Sequence, residues 1–260
     1  MANPTYQSGF YAPGRGVAKH PELWDGCVGA WNPGLGNTGL SLRDQSGFQN
    51  NGVLTNGPTW GVSDGRQALN FDGSNDSIDI PHSRSLSNLS AMTVALWINP
   101  ESIINSPVII GKSTGTGSWY LQYYGGALKI YFSDILRGTI GTPTLGAYSH
   151  VGFSYDGTSV VPYLDGVKGT ATSMTGTVST GTGIMRIGGY VGGLTYYQAG
   201  SFYDVLVSNK AWSASQFRVQ SQRPGIAYER APRKIYSIPV TVTYKAYLQQ
   251  RNQIIGGGFR

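Results

Sequence analysis

The turn Asp72-Gly73-Ser74-Asn75-Asp76 gathers several hard oxygen donors within five residues, the donor type that calcium takes. Tight turns use the same residues for a plainer purpose, accepting backbone N–H groups to close the loop. A second concentration is aromatic: Trp119-Tyr120-Leu121-Gln122-Tyr123-Tyr124, and the pair Tyr196-Tyr197. Such rings stack on the apolar face of a sugar while neighbouring polar groups meet its hydroxyls. If 119–124 is a strand, Trp119 and Tyr123 face one side and Tyr120 and Tyr124 the other, so half of them belong to a core. The candidate ligand-binding set is Trp119, Tyr123, Tyr196 and Tyr197.

Catalytic patterns are thin. His20, His82 and His150 lie far apart, with no H-E-x-x-H and no G-x-S-x-G. His150 reads as a strand residue that packs or hydrogen-bonds within a sheet. Cys27 is the single cysteine, so no intrachain disulfide forms, and it reads as a small buried apolar residue. The run Gly34-Leu35-Gly36-Asn37-Thr38-Gly39 matches G-x-G-x-x-G but leads to no helix, which makes it a glycine turn rather than a dinucleotide site.

The elements that must position these groups are strands. With 38 glycines, 17 tyrosines and only 12% charged residues among 260, the chain is built of turns and aromatic-rich extended segments, not long helices. Strand-like runs fall at 68–71, 77–80, 92–100, 108–111, 119–124, 128–132, 148–155, 160–164, 184–187 and 201–207, nearly all bounded by Gly, Pro or Asn. Asp165-Gly166 suits the positive φ angles of a two-residue hairpin turn. Pro162, which has no N–H to donate, puts its strand at an edge or a bulge. One helix is expected at 213–221, with Ser213 and Gln216 as a capping box, and strand-like alternation returns at 235–247. No apolar run approaches the roughly 18 residues that span a bilayer, and the polar start of the chain has no signal-peptide pattern.

Three stretches, in order over about 150 residues, resemble the laminin-G-like, concanavalin-A-like jelly roll. The first is Ala68-Leu69-Asn70-Phe71-Asp72-Gly73-Ser74-Asn75-Asp76 through Pro81, with Met92-Thr93-Val94-Ala95-Leu96-Trp97-Ile98-Asn99-Pro100. The second is Tyr148-Ser149-His150-Val151-Gly152-Phe153-Ser154-Tyr155-Asp156-Gly157, running on to Tyr163-Leu164-Asp165-Gly166. The third is Ile187-Gly188-Gly189 and then Gly200 to Ser215. The resemblance implies an all-β, two-sheet antiparallel jelly-roll sandwich with N- and C-terminal extensions. It also implies a possible calcium site at loop ends and adds Asp204, in the closing strand, to Asp72, Asn75 and Asp76 as candidate metal ligands. Glucan-hydrolysing members carry their carboxylates as E-x-D-x-E or E-x-D-x-x-E on one strand. None of Glu22, Glu101 and Glu229 starts such a pattern, so the chain is expected not to be an enzyme. Tyr11-Ala12-Pro13-Gly14-Arg15, the run 23–31, the segment 42–47 and Arg230-Ala231-Pro232-Arg233-Lys234 resemble jelly-roll proteins encoded by bacteriophages and prophages.

Charge divides the chain. Residues 210–260 carry nine Lys and Arg against Glu229 alone; the chain totals +6, which leaves the body slightly acidic. The expected organisation is an N-terminal arm (1–22), a jelly roll (23–221) and a basic C-terminal arm (222–260). Arg230, Arg233 and Lys234, with Val240, Val242 and Tyr244 as an added strand, are the candidate docking residues. The positive tail is assigned to protein subunits of a larger assembly in preference to nucleic acid. The expectation is thus a non-enzymatic virion component, such as a capsid decoration, head fibre or tail part, displaying a lectin-like domain that meets glycans. The alternatives are a stand-alone, calcium-dependent lectin, cytoplasmic or secreted without a recognisable signal, and a glycan hydrolase with an unrecognised site.

Overall fold

The computed structural model describes residues 18–35, 37–112, 118–178, 181–192 and 196–232. Two antiparallel sheets face each other. With strands numbered in chain order, the back sheet runs β15 (Val167–Lys168), β14 (Ser159–Leu164), β13 (Ser149–Tyr155), β8 (Met92–Ser102), β18 (Ala199–Ser208), β6 (Arg66–Asp72), β5 (Thr59–Ser63). β1 (Cys27–Trp31) also pairs with β18, and β16 (Thr172–Ser173) with β14. The front sheet runs β12 (Ile135–Gly141), β11 (Ala127–Phe132), β10 (Trp119–Tyr124), β9 (Val108–Lys112), β17 (Met185–Ile187), β7 (Ser77–Ile80), β4 (Gly52–Thr55), β3 (Ser41–Leu42), β2 (Asn37–Thr38). Hairpin neighbours alternate with crossovers between strands distant in sequence, such as β13 with β8, β8 with β18 and β9 with β17, as in a jelly roll, and each of the ten expected strands is present.

Alternation decides what each sheet buries. Met92, Val94, Leu96 and Ile98 of β8, Val151 and Phe153 of β13, and Leu121, Ile130 and Ile187 of the front sheet meet in the core between the sheets. The other side of the back sheet is covered too. There Ala95, Tyr163 and Leu206 pack with Leu23, Trp24, Trp212, Phe217, Ile226 and Ala227 in a second core. This layer consists of 3-10 turns at Pro21–Leu23 and Ile226–Tyr228 and the helix α1 (Ala214–Gln220). α1 has the expected capping box, with Ser213 accepting from the Gln216 N–H and Gln216 reaching back. Its Phe217 stacks on Tyr163 at 3.8 Å.

Residues on either side of the bounds expected at 22 and 221 pack against the sandwich. Ala18, Ile226 and Ala227 are buried, the Trp24 indole donates to Ala227 O at 2.7 Å, and Ala18 bridges to Arg230. Residues 18–22 and 222–230 therefore take part in the packed layer over the back sheet. Arg233, Lys234, Val240, Val242 and Tyr244, and the strand expected at 235–247, lie outside the described residues.

Candidate functional site

The outward face of the front sheet bears a cluster of tyrosines. One register row crosses it: Tyr131 of β11, Tyr120 of β10, Gly111 of β9, Arg186 of β17 and Asp79 of β7. Tyr120 and Tyr131 stack as a cross-strand pair, with centroids 5.0 Å apart and planes 15° from parallel. Gly111 makes the row possible, because a Cβ there would stand 2.6 Å from Tyr120 Cβ and 2.9 Å from Trp119 O. Tyr190, in the loop after β17, sets its ring edge-on to Tyr120 at 5.6 Å, and Tyr196 meets Tyr190 at 6.1 Å. Tyr197 lies against Gly189, where a Cβ would come within 2.7 Å of its ring. The loop is pinned from below, since the Val108 N–H donates to Tyr196 O at 2.9 Å.

The next row opposes Gln122 to Lys129, and beyond it Tyr124 stands 58% exposed with Lys129 Nζ 5.2 Å from its ring centroid. The face thus offers exposed Tyr124 and half-buried Tyr131, Tyr190 and Tyr196 around a buried Tyr120, beside an amide and a cation. Its carboxylates are engaged. Asp79 takes Arg186 Nε at 2.6 Å and Nη2 at 2.8 Å, and that hydrogen bond raises the arginine further above its ordinary range. Asp134 accepts the Tyr120 hydroxyl at 3.0 Å, and burial pushes that phenol up, so it stays a neutral donor.

Of the candidate ligand residues, Tyr196 and Tyr197 are on this face and half-buried. Trp119 and Tyr123 are not; each is 1% exposed in the core between the sheets. The sequence alternation separates the two pairs of aromatics correctly, but the inward pair is the one selected. With Leu121 completing the apolar side, Tyr120 and Tyr124 point out. Tyr131 and Tyr190 were missed altogether. A signal for Tyr131 exists in β11, where Leu128, Ile130 and Phe132 alternate with Lys129 and Tyr131.

The candidate metal ligands do not form one calcium sphere. The Asp72 carboxylate accepts the Ser74 N–H at 2.8 Å, which holds its pKa below the usual carboxylate range, and Asp76 accepts the Asp72 N–H at 3.0 Å. Asn75 offers its carbonyl to the Asn56 side chain at 3.0 Å. These are turn-closing bonds. Asp204 is elsewhere: Ala199 opposes Asp72 across the sheet, and Asp204 lies five residues further along β18, about 17 Å at strand rise. It is buried on the outward side of the back sheet, accepting the Asn32 amide at 2.6 Å and the Gly225 N–H. Among the described residues no three or more His, Cys, Asp or Glu side chains group as a metal would require.

The family model of the concanavalin A-like lectin/glucanases superfamily matches residues 72–217, more than half of the chain. The chain belongs to this superfamily. No curated protein matches it by sequence. Among solved structures it is similar to domain 4 of the GH43 extracellular arabinanase of Geobacillus stearothermophilus in complex with arabinotriose, at 18% identity and a TM-score of 0.63, covering 75% of this chain and 98% of that one. It is also similar to the binding domain of Paraclostridial Mosquitocidal Protein 1, at 15% identity and a TM-score of 0.59, covering 76% of this chain and 52% of the other. A third is Trypanosoma rangeli sialidase in complex with sialic acid, at 14% identity and a TM-score of 0.61, covering 82% of this chain and 36% of the sialidase. At such identities the likeness is one of fold.

Proposed function

We propose that this superfamily member is a non-catalytic carbohydrate-binding module whose binding surface is the tyrosine face of the front sheet. The observation that carries the reading is the chain of ring contacts Tyr131–Tyr120–Tyr190–Tyr196 on an outward sheet face, next to exposed Tyr124 and the pair Gln122 and Lys129. Flat rings take a sugar's C–H face, and the amide and ammonium fix its hydroxyls. A glycosidase needs two free carboxyl groups roughly 5–10 Å apart across the bond it cuts. Here Asp79 is locked to Arg186 and Asp134 serves the Tyr120 hydroxyl. The arabinanase domain solved with arabinotriose supplies a first ligand to try. Titration with neutral arabino-oligosaccharides should show binding that persists in EDTA and weakens about tenfold in Tyr124→Ala, a loss of roughly 1.4 kcal/mol. Binding unchanged by Tyr124→Ala and by Tyr131→Ala would exclude this face.

A second reading concerns where the module works. Ala18 bridges to Arg230, and the Lys19 N–H donates to Glu229 O at 2.8 Å, so the first and last described segments lie side by side. The layer they belong to covers the back sheet, away from the tyrosines. This arrangement favours a displayed part of a larger assembly, with the basic tail as its attachment. The virion component expected from the sequence is the form of that assembly we propose.

A further inference from the structure

A cleft of about 660 Å³ opens at the rim of the sandwich opposite the Asp72 turn, within the roughly 300–1,000 Å³ range of small-molecule sites. Three segments form it: the loop around Phe48, the 3-10 turn Arg84–Leu86 between β7 and β8, and Asn209-Lys210 after β18. Its floor is apolar, made by buried Val28 and Leu89 with half-buried Phe48.

The walls are polar and built from behind. Asp44 is buried and accepts the Ala30 N–H at 2.9 Å, the Ser46 N–H at 2.8 Å and the Asn50 N–H at 2.9 Å. So anchored, the Asn50 amide donates to Val28 O at 2.7 Å and to Ser85 Oγ at 2.9 Å, and Ser85 in turn meets Ser83 Oγ at 2.8 Å. The Ser85 hydroxyl is therefore oriented by a network that starts at a buried carboxylate.

Other lining groups are unspent. The Arg84 guanidinium, the Ser90 hydroxyl and the Asn209 amide have no side-chain partner among the described residues. Lys210 is different, since both oxygens of Asp25 lie 2.7 Å from its Nζ. The cleft thus holds one uncompensated positive charge, several hydroxyls and amides, and an apolar floor.

Each feature restricts the ligand. A guanidinium pairs two N–H groups with a planar or tetrahedral oxyanion. A single free cation suits one negative charge rather than a polyanion, whose binding takes several phosphate contacts. Hydroxyl and amide walls over an apolar floor suit a polyol with one C–H face. We propose that this cleft is a second binding site, for a sugar unit bearing one carboxylate or sulfate, with Arg84 on the anion and Ser85, Ser90 and Asn209 on the hydroxyls.

The test is calorimetric titration of the full chain with glucuronic acid, glucose 6-sulfate, glucose and inorganic sulfate. At least one acidic sugar should bind about tenfold or more tightly than glucose, and whichever it is identifies the oxyanion. Arg84→Gln, an exposed side chain whose loss leaves the fold intact, should abolish that preference. Asn209→Ala should weaken both acidic and neutral sugars, its backbone N–H to Gly26 O being kept. Tyr124→Ala, which acts on neutral sugars at the tyrosine face, should leave the affinity for the acidic sugar unchanged. Four results would overturn the proposal: equal binding of glucose, inorganic sulfate binding as tightly as the sugars, undiminished affinity in Arg84→Gln, or loss of the acidic sugar in Tyr124→Ala, which would move it to the tyrosine face.

Discussion

His150 and Asp204 lie under the helical layer, on the outward side of the back sheet, and both are fully buried. The His150 ring sits 5.3 Å from Trp97 and 6.1 Å from Phe217, with neither ring nitrogen bonded. Of the two roles expected for it, the side chain packs. Burial pushes its pKa down to about 3, so the stability it contributes is present above about 6.5 and is lost as pH falls toward 3. Burial pushes Asp204 up to about 7. Its contribution is complete below the ordinary value near 3.8 and is lost as pH rises through about 7. The two oppose each other between pH 4 and 6.5. His150→Phe, which keeps an apolar ring in the site, should leave only the second effect. In urea unfolding the variant should gain stability on acidification, diverging from the parent by on the order of 3 kcal/mol at pH 4. Parallel pH curves for the two proteins would refute this. The packing of His150 was legible in sequence, but the surroundings of Asp204 were not: Asn32 and Gly225, which close on it, are 172 and 21 residues away.

At the scale of elements, sequence patterning succeeds where a strand is long enough to show a period and flanked by turn residues that need positive φ. The Asp165-Gly166 hairpin is the clearest case, with φ of 49° and 77° joining β14 to β15. Pro162 falls between the β15 and β16 pairings of β14, where its carbonyl accepts the Gly169 N–H at 2.8 Å and its missing N–H costs no ladder bond. Strands β2 and β3 have two residues each and no period to detect. β12 is an edge strand with exposed Ile135 and Leu136 and two irregularities in its pairing, so it carries no inward stripe. The candidate site was half legible for the same reason. Period two assigns residues to opposite faces without saying which face is inside, and β10 has aromatics on both. The helix was legible through its cap. Ser213→Ala removes the acceptor for the Gln216 N–H and should cost about 1 kcal/mol. That corresponds to a melting temperature roughly 2–4 °C lower, whereas an unchanged melt would show that Phe217 alone fixes the helix.

For the whole molecule, the consequence of the layered order is that attachment and display are separable, and the place to cut is not where the change in charge suggests. Ending the chain after residue 221 removes Ile226 and Ala227 from the second core, the acceptor of the Trp24 indole, and the Gly225 N–H that Asp204 accepts. The lost burial and the uncompensated carboxylate together amount to several kcal/mol. A melting temperature lower by on the order of 10 °C is expected. Ending it after 232 keeps each of those contacts, and melting within about 2 °C of the full chain is expected, as for a change away from the core. Only the second truncation therefore tests the tail. If Arg233, Lys234 and the alternating Val240, Val242 and Tyr244 attach the module to other subunits, the chain ending at 232 should keep its binding of oligosaccharide and acidic sugar while failing to enter particles or oligomers. Undiminished incorporation would remove the tail from the attachment and leave residues 1–17 as the remaining arm.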